Sequence, residues 1–226
     1  MKGPLVSAII PVHDGERFLG AAIESVLVQE YSPLEVIVVD DGSTDASGDI
    51  AASFPLRCLH QPNLGVAAAR NAGLAAARGD VISFLDQDDL WPSGKLAVQV
   101  GHLLEHPELG FVVGQMEVFL EPGAPRPAWM HGDQPAFLLG ALVARRHAFD
   151  RVGAFQTRYT LSSDADWFAR AKDAGIARAV LPDVVLRYRV HEQNASHTRD
   201  VLWHETIDVL RCSVERRRKK RVAGGD

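Results

Sequence analysis

Cysteine is scarce in this sequence, and long apolar runs are absent from it. The only two cysteines, Cys58 and Cys212, lie far apart, which argues against a disulfide framework and against a thiolate metal site. No apolar run approaches the roughly 20 residues that a membrane-spanning helix needs. The N-terminal segment does not resemble a signal peptide, because its apolar stretch is short and contains Pro11. These absences predict a cytoplasmic protein.

Positive charge is concentrated in one segment near the C-terminus. Residues 211–221, RCSVERRRKKR, contain seven basic residues and one acidic residue, whereas the whole chain carries a net charge of −5. The remainder is therefore acidic, and it shows no interleaving of aromatic and basic residues, so we expect no nucleic-acid partner. The basic segment is either a solvated tail or a contact with an anionic surface. On the second interpretation, residues 216–221 hold the protein peripherally at the inner face of a membrane.

Apolar segments alternate with segments of helical spacing in the first half of the chain. In 16–29, for example, apolar pairs recur every three to four residues. This alternation is typical of parallel βαβ units, so we predict an α/β fold with a mostly parallel central sheet and helices on both faces. The predicted strands are 5–12, 34–39, 57–60 and 80–85, and the predicted helices are 16–29, a short one after 43, and 65–77.

The second half of the chain is less regular. Residues 121–135 are rich in proline and glycine, which predicts a loop. The predicted strands are 110–119, a short one within 137–155, and one or two over Ala179–Val190. The predicted helices are Asp164–Ala174 and an amphipathic one over 199–218.

Acidic or turn-forming residues follow three of the predicted strands. The first strand runs into PVHD (11–14), the second into DDGS (40–43), and a third into DQDD (86–89). In parallel α/β sheets, ligands bind at the carboxyl ends of the strands. The three segments therefore predict one ligand site at one edge of the sheet.

The DQDD segment has two interpretations. Asp86 and Asp88 are spaced to surround one oxygen-loving cation such as Mg²⁺ or Mn²⁺. The alternative is a turn or a helix start, and we assign Asp89 to that role, as an N-cap ahead of Pro92 in the first turn of a helix.

Two further residues have a structural and a functional interpretation. Asp40 either begins an Asp-Gly turn, with Ser43 or Thr44 as the next helix cap, or accepts hydrogen bonds from a base or ribose. Arg70 is either a surface residue, which its type favours, or a cation that contacts a nucleotide.

The segment SSDADWFARAKDAG, residues 162–175, begins a predicted helix. Ser162 or Ser163 is a candidate cap, and Asp164 and Asp166 suit the positive N-terminus of the helix. The functional alternative is that one of these carboxylates acts as a general base.

His191 follows the last predicted strand. It is either a structural histidine or a metal ligand contributed late in the sequence. The nearby NAS, residues 194–196, matches a glycosylation acceptor, which has no role in a cytoplasmic protein.

Five segments occur together in the order SAIIPVHDGERFLGAAIESVLVQ, VIVVDDGSTD, NLGVAAARNAGLAAARGDVISFLDQDDLW, SSDADWFARAKDAG and YRVHEQNAS. In this order they resemble family 2 glycosyltransferases over about residues 5–198. The resemblance implies a GT-A fold, which joins a Rossmann-like nucleotide-binding half to an acceptor half. It divides the chain into a donor-binding half (1–110), a half that binds acceptor and carries the base (111–198), and a C-terminal helix with a basic tail (199–226).

The resemblance also implies an activity and its residues. The donor would be a nucleotide diphosphate sugar, foremost a UDP-sugar, and transfer would invert the anomeric carbon. Asp164 would be the general base toward a hydroxyl acceptor, which is a glycan, a lipid-linked molecule or a small molecule. Asp88 and His191 would hold a divalent metal, Mn²⁺ or Mg²⁺. The donor-nucleotide site would comprise Pro11, Val12, Asp40, Arg70, Asp86 and Gln87.

The sequence departs from the family pattern at three places. Ser163 stands where a glutamate usually precedes the base, PVHD replaces the commoner PVYN, and the acceptor region at about 110–160 is compact. One alternative function is therefore a nucleotide-sugar-binding protein without transfer activity. A second alternative is a nucleotidyltransferase, but its first strand should lead into a Gly-rich loop bearing Lys or Arg, which PVHDGERF does not supply.

Overall fold

The computed structural model describes residues 3–124, 134–135, 137–192, 194 and 199–223. Within them the strands are β1 (Val6–Val12), β2 (Leu34–Asp40), β3 (Arg57–His60), β4 (Val81–Phe84), β5 (Phe111–Leu120), β6 (Gln134–Pro135), β7 (Val143–Arg145) and β8 (Arg178–Val190). The helices are α1 (Leu19–Leu27), α2 (Ser47–Ala52), α3 (Val66–Ala76), α4 (Lys95–Glu105), α5 (Arg146–Val152), α6 (Ser163–Asp173) and α7 (Arg199–Ala223).

All of the described strands belong to one sheet. Its order is β3-β2-β1-β4-β7-β5-β6, and β8 pairs with β5. The first four strands are parallel, as are β5 and β8, whereas β7 runs antiparallel to both β4 and β5. The predicted α/β fold with a mostly parallel sheet is confirmed.

Helices cover both faces of the sheet. One face carries a core to which α1 and α4 contribute, and every residue of β1 is buried. The other face carries a second core to which α3, α5 and α6 contribute, with Trp167 of α6 fully buried at its centre. At Gly73 helix α3 comes so close to the sheet that an added Cβ would lie 2.4 Å from the Cγ2 atom of Ile9.

Several helix starts differ from the predictions. The N-cap of α2 is Ala46, so neither Ser43 nor Thr44 caps it. The N-cap of α4 is Gly94, so Pro92 precedes the helix and Asp89 is not its cap. Helix α6 does begin after Ser162, although no side-chain hydrogen bond caps it. Tertiary contacts occupy Asp89 and Ser43 instead, as described below.

The second half contains features that its composition does not indicate. The segment Ala179–Val190 forms one strand, β8, with register shifts opposite β5 near Gln115. The predicted loop at 121–135 lies largely outside the described residues, but Gln134–Pro135 pairs with β5 as a short strand. Helix α7 continues to Ala223 and packs against α6. Among the described helices, none has the length and apolar character needed to cross a bilayer.

Candidate active site

Hydrogen bonds join the loops that follow β1 and β2. Asp14, with a left-handed φ of 47°, accepts the backbone N–H of Thr44 at 2.7 Å. The hydroxyl of Ser43 accepts the N–H of Asp14 at 3.1 Å, and the hydroxyl of Ser47 accepts the N–H of Gly15 at 2.8 Å. These bonds fix the two strand ends relative to one another.

Asp40 lies at the end of β2, nearly buried. Ser43 donates its backbone N–H to Asp40 Oδ1 at 2.9 Å, and His60 Nδ1 lies 3.1 Å from Oδ2. Burial raises the pKa of Asp40, but the hydrogen bonds from Ser43 and His60 and the charge of His60 outweigh burial, so the pKa lies below its usual value. Asp40 is therefore an ionised hydrogen-bond acceptor at neutral pH.

Asp41, the next residue, holds the loop that leads into α3. Its carboxylate accepts the backbone N–H groups of Leu64 and Gly65 at 2.9 and 2.8 Å and the side-chain amide of Gln61 at 2.6 Å. The sequence interpretation gave Asp41 no role. Its effect is to fix the start of the helix that carries Arg70.

Pro11 and Val12 are buried in β1, and Val12 lies opposite Asp40 in the parallel register. Gln87 follows β4 and reaches across to the β1 loop. Its Oε1 accepts the N–H of His13 at 2.8 Å, and its Nε2 donates to the carbonyl of His13 at 3.2 Å. The side-chain amide of Gln87 thus joins the ends of β1 and β4.

Arg70 on α3 is buried, with 6% of its surface exposed, so the expectation of a surface arginine is wrong. Its Nη2 donates to Asp86 Oδ1 at 2.7 Å, and its Nη1 donates to the hydroxyl of Ser163 at 3.1 Å. Burial of a guanidinium is tolerable because Asp86 compensates its charge and both Nη atoms have partners, although its buried Nε has none. Arg70 therefore connects the DQDD segment to the first turn of α6.

Asp164 is half-buried in that first turn of α6. Burial raises its pKa, the positive charge of Arg70 and the N–H of Ala165 lower it, and the negative charge of Asp86 raises it. The balance leaves the pKa of Asp164 above its usual value. A carboxylate with a raised pKa accepts a proton more readily, which suits a general base.

Asp88 points toward the end of β8. Its Oδ2 lies 3.0 Å from His191 Nε2 and 3.3 Å from the Nδ2 atom of Asn194. The Asn194 side chain also accepts the N–H of His191 at 2.6 Å, and the ring of Phe18 lies 4.6 Å from the His191 ring. Asn194 and Phe18 therefore fix the imidazole against the carboxylate, and sequence reasoning missed both residues.

Asp89 and Arg189 secure β8 to the DQDD segment. Asp89 is buried and accepts the N–H of Arg189 at 2.8 Å, while Arg189 Nε donates to the carbonyl of Asp88 at 2.7 Å. Burial, together with the charges of Asp88 and Asp86, raises the pKa of Asp89 well above its usual value despite the opposing effect of Arg189. Asp89 thus has a structural role, although not the predicted one.

The potential ligand atoms at this edge of the sheet suit a hard divalent cation. Asp88 offers a carboxylate oxygen and His191 an imidazole nitrogen, and Mn²⁺ accepts both types. In the described part of the chain, no third carboxylate, imidazole or thiolate atom forms a group of ligands with them. The remaining coordination positions of such a cation suit phosphate oxygens and water.

The segment before Asp164 is held from outside the sheet. Glu205 on α7 accepts the backbone N–H groups of Thr160, Leu161 and Ser162 at 2.7, 2.9 and 2.8 Å. These three residues lead directly into the turn that carries Asp164. Helix α7 therefore helps to fix the position of that carboxylate.

The fold and this site define the chain as a GT-A type protein. The family model for glycosyl transferase family 2 matches residues 7–178. The chain belongs to this family, as the sequence resemblance indicated.

Among its relatives, the uncharacterized glycosyltransferase EpsJ of Bacillus subtilis is 45% identical over 91 residues, which are 38% of this chain and 26% of EpsJ. An uncharacterized glycosyltransferase of Haemophilus influenzae is 42% identical over 112 residues, which are 47% of this chain and 45% of that protein. The matches span less than half of the length of these relatives.

Solved structures share the fold at low sequence identity. Staphylococcus aureus TarS 1–349 in complex with UDP-GlcNAc superposes with a TM-score of 0.78 at 21% identity, covering 96% of this chain and 66% of that one. The mannosyltransferase PcManGT from Pyrobaculum calidifontis, in complex with GDP-Man and Mn²⁺, superposes with a TM-score of 0.74 at 23% identity. The match covers 95% of this chain and 65% of that one. At these identities the similarity establishes the GT-A fold.

Proposed function

We propose that the protein transfers a sugar from a nucleotide diphosphate sugar to an acceptor hydroxyl, with inversion and with the help of a divalent cation. The observation that carries the proposal is the bridge made by Arg70. By bonding to Asp86 and to Ser163, it brings the base candidate Asp164 beside the carboxylates of the donor edge. Family membership and the nucleotide-sugar complexes of the structural neighbours support the same reaction.

The donor nucleotide is proposed to lie over the ends of β1, β2 and β4. Asp40, ionised and already oriented by Ser43 and His60, would accept hydrogen bonds from the base or ribose. Pro11, Val12 and Gln87 would form the floor and wall beside it. A UDP-sugar is our first candidate, and a GDP-sugar belongs in the same screen because one neighbour binds UDP-GlcNAc and another GDP-Man.

Asp88 and His191 are proposed to hold Mn²⁺ or Mg²⁺ together with the donor diphosphate. When bound, such a cation stabilises the negative charge of the departing nucleoside diphosphate. The contacts of Asn194 with both Asp88 and His191 would keep the two ligands oriented. Arg70 and Asp86 form an ion pair next to them, so the charges at this edge are partly balanced before the donor arrives.

Asp164 is proposed to take the proton of the acceptor hydroxyl. As the hydroxyl oxygen forms its bond to the anomeric carbon, the bond from that carbon to the diphosphate oxygen breaks on the opposite side. The nucleoside diphosphate leaves with the bonding electrons, and the anomeric configuration is inverted. One carboxylate suffices for this single displacement, in contrast to the paired carboxylates of glycosidases.

The test is transfer by the purified full chain with Mn²⁺ from a panel of UDP- and GDP-sugars to mixed hydroxyl acceptors. We expect nucleoside diphosphate release that depends on the acceptor, and a product whose anomeric configuration, read by NMR, is opposite to that of the donor. Asp164→Asn should reduce the rate by about 10²–10⁴-fold. The matched control is Asp49→Asn, an exposed carboxylate in the first turn of α2, which should transfer at the wild-type rate.

The second candidate is a nucleotide-sugar-binding protein without transfer activity. The observation in its favour is Ser163, whose hydroxyl accepts a hydrogen bond from Arg70 at the position where the family usually has a glutamate. Two results together would support this second candidate against the first. The wild type would bind the donor in a metal-dependent way without turnover for any acceptor, and Asp164→Asn would bind the donor identically.

A further inference from the structure

In the part of the chain that the structure describes, one apolar face of helix α7 is uncovered. Trp203, Ile207, Leu210 and Val214 follow one another at intervals of four, three and four residues, so they line one side of the helix. Trp203 is 66% exposed and Leu210 60% exposed, and Ile207 and Val214 are exposed as well. Together they form a continuous patch, which we call the α7 stripe, and such patches on a protein surface commonly mark an interaction site.

The opposite side of α7 is already occupied. Val209 and Ser213 are buried, and Ser213 donates to Asp173 of α6 at 3.0 Å. Glu205 holds the turn before α6, as described above. The contacts of α7 with the rest of the described chain therefore lie on the side opposite the α7 stripe. The α7 stripe itself is available to another partner.

Positive charge lies beside the α7 stripe. Arg211 and Arg218 each follow a stripe residue by four positions, and Arg221 follows Val214 by seven, so all three share its side of the helix. They are all exposed. The expectation that residues 216–221 form one membrane-facing surface is wrong. Arg216 bonds to the Asp173 carboxylate at 2.9 Å and Lys220 bonds to the Asp173 carbonyl, so both residues face α6.

We propose that α7 docks in the plane of an anionic phospholipid surface, with the α7 stripe in the headgroup–acyl boundary and Arg211, Arg218 and Arg221 among the headgroups. A partner for this face must be apolar at its centre and negatively charged at its border, and an anionic bilayer offers both. Tryptophan is favoured at that boundary because its ring is amphipathic. A helix that combines an apolar face with basic residues binds through both contributions, and each basic residue near the surface strengthens binding about five-fold.

The test is sedimentation of the full chain with vesicles of phosphatidylglycerol and phosphatidylcholine, and with vesicles of phosphatidylcholine alone. We expect binding to the anionic vesicles, weakened by high salt, and a blue shift of tryptophan fluorescence on binding. Trp203→Phe should remove the shift and keep most of the binding. Binding of Arg211→Ser/Arg218→Ser should be at least about tenfold weaker, because two basic contributions are lost.

Leu210→Asp should abolish vesicle binding. Its matched control is Leu104→Asp, which alters a leucine of similar exposure, 54%, on α4 and should bind as the wild type does. Circular dichroism of both variants verifies that the helical content of the chain is unchanged. The proposal is overturned if the wild type does not bind anionic vesicles, if Leu210→Asp binds them normally, or if the α7 stripe instead forms dimers that leave Trp203 fluorescence unaffected by vesicles.

Discussion

The Nε2 atom of His191 lies 3.0 Å from Oδ2 of Asp88, although 103 residues separate the two along the chain. The contact joins the end of β8 to the segment that follows β4. Asn194 bonds to both residues, so the pair has a fixed geometry. This pair is the proposed seat of the divalent cation, and Arg70 links the neighbouring Asp86 to the helix of the proposed base.

The pH dependence of transfer should follow the raised pKa of Asp164. A base must be unprotonated, so activity is lost as the pH falls through its pKa. Burial raises that pKa above the value of about 3.9 for an ordinary aspartate. We therefore expect the acidic limb of kcat to lie at a higher pH than an unperturbed carboxyl would give. Donor affinity measured over the same pH range separates this limb from effects on binding, and a limb at or below the ordinary value would contradict the role of Asp164.

Arg70→Lys should destabilise the protein. A lysine ammonium cannot reproduce the two separate contacts of the guanidinium with Asp86 and Ser163, so a buried polar group loses its partner. We expect the free energy of unfolding in urea to fall by about 1–3 kcal/mol. The control is Arg78→Lys, which alters an exposed arginine paired with Glu35 and should change the free energy of unfolding by less than about 1 kcal/mol. Equal effects of the two substitutions would show that the burial of Arg70 has no energetic consequence.

Glu205→Gln should lower kcat and leave donor affinity unchanged. Thr160 donates to one oxygen of Glu205, and Leu161 and Ser162 donate to the other. A glutamine amide keeps only one acceptor oxygen, so its NH2 group would face the N–H of Thr160 or those of Leu161 and Ser162. The turn that carries Asp164 should then shift, and displacements of about 1 Å can cost about 10²-fold in rate. Glu215→Gln, an exposed change on the same helix, is the control. An unchanged kcat in Glu205→Gln would mean that α7 does not position the base.

Gly73→Ala should destabilise the fold, although alanine is the better helix former. The new Cβ would lie 2.4 Å from Ile9 and 3.2 Å from Val39, and overpacking of this kind costs about 1–3 kcal/mol. Gly101→Ala on α4 meets no atom within 4 Å and should stabilise by up to about 1 kcal/mol. Urea unfolding of the pair separates packing from helix propensity, and the same sign for both substitutions would contradict the close approach of α3 to the sheet.

The sequence predicted the structure best where local patterns along the chain determine the secondary structure. Apolar strands alternating with helices predicted the parallel sheet, and the carboxyl ends of parallel strands necessarily share one edge, so Asp40 and Asp88 could be assigned to that edge. The second half was harder, because β7 runs antiparallel between β4 and β5 and periodicity does not encode strand order.

Contacts between distant residues could not be predicted. Arginine is usually a surface residue, but Arg70 is buried, and one of its hydrogen-bond partners, Ser163, is 93 residues away. Asp89 resembles a helix cap, but it bonds to Arg189, 100 residues away. Asn194 drew attention only as part of a glycosylation pattern, whereas its contact with Asp88 spans 106 residues.

The most direct test of the account is calorimetric titration of the full chain with UDP and GDP, with and without Mn²⁺. We expect one nucleotide to bind more tightly with Mn²⁺, and this enhancement to disappear in Asp88→Ala. Asp80→Ala, an exposed carboxylate just before the other end of β4, should bind as the wild type does. Metal-dependent binding that Asp88→Ala leaves unchanged, or no binding of either nucleotide under any condition, would contradict the proposed donor site.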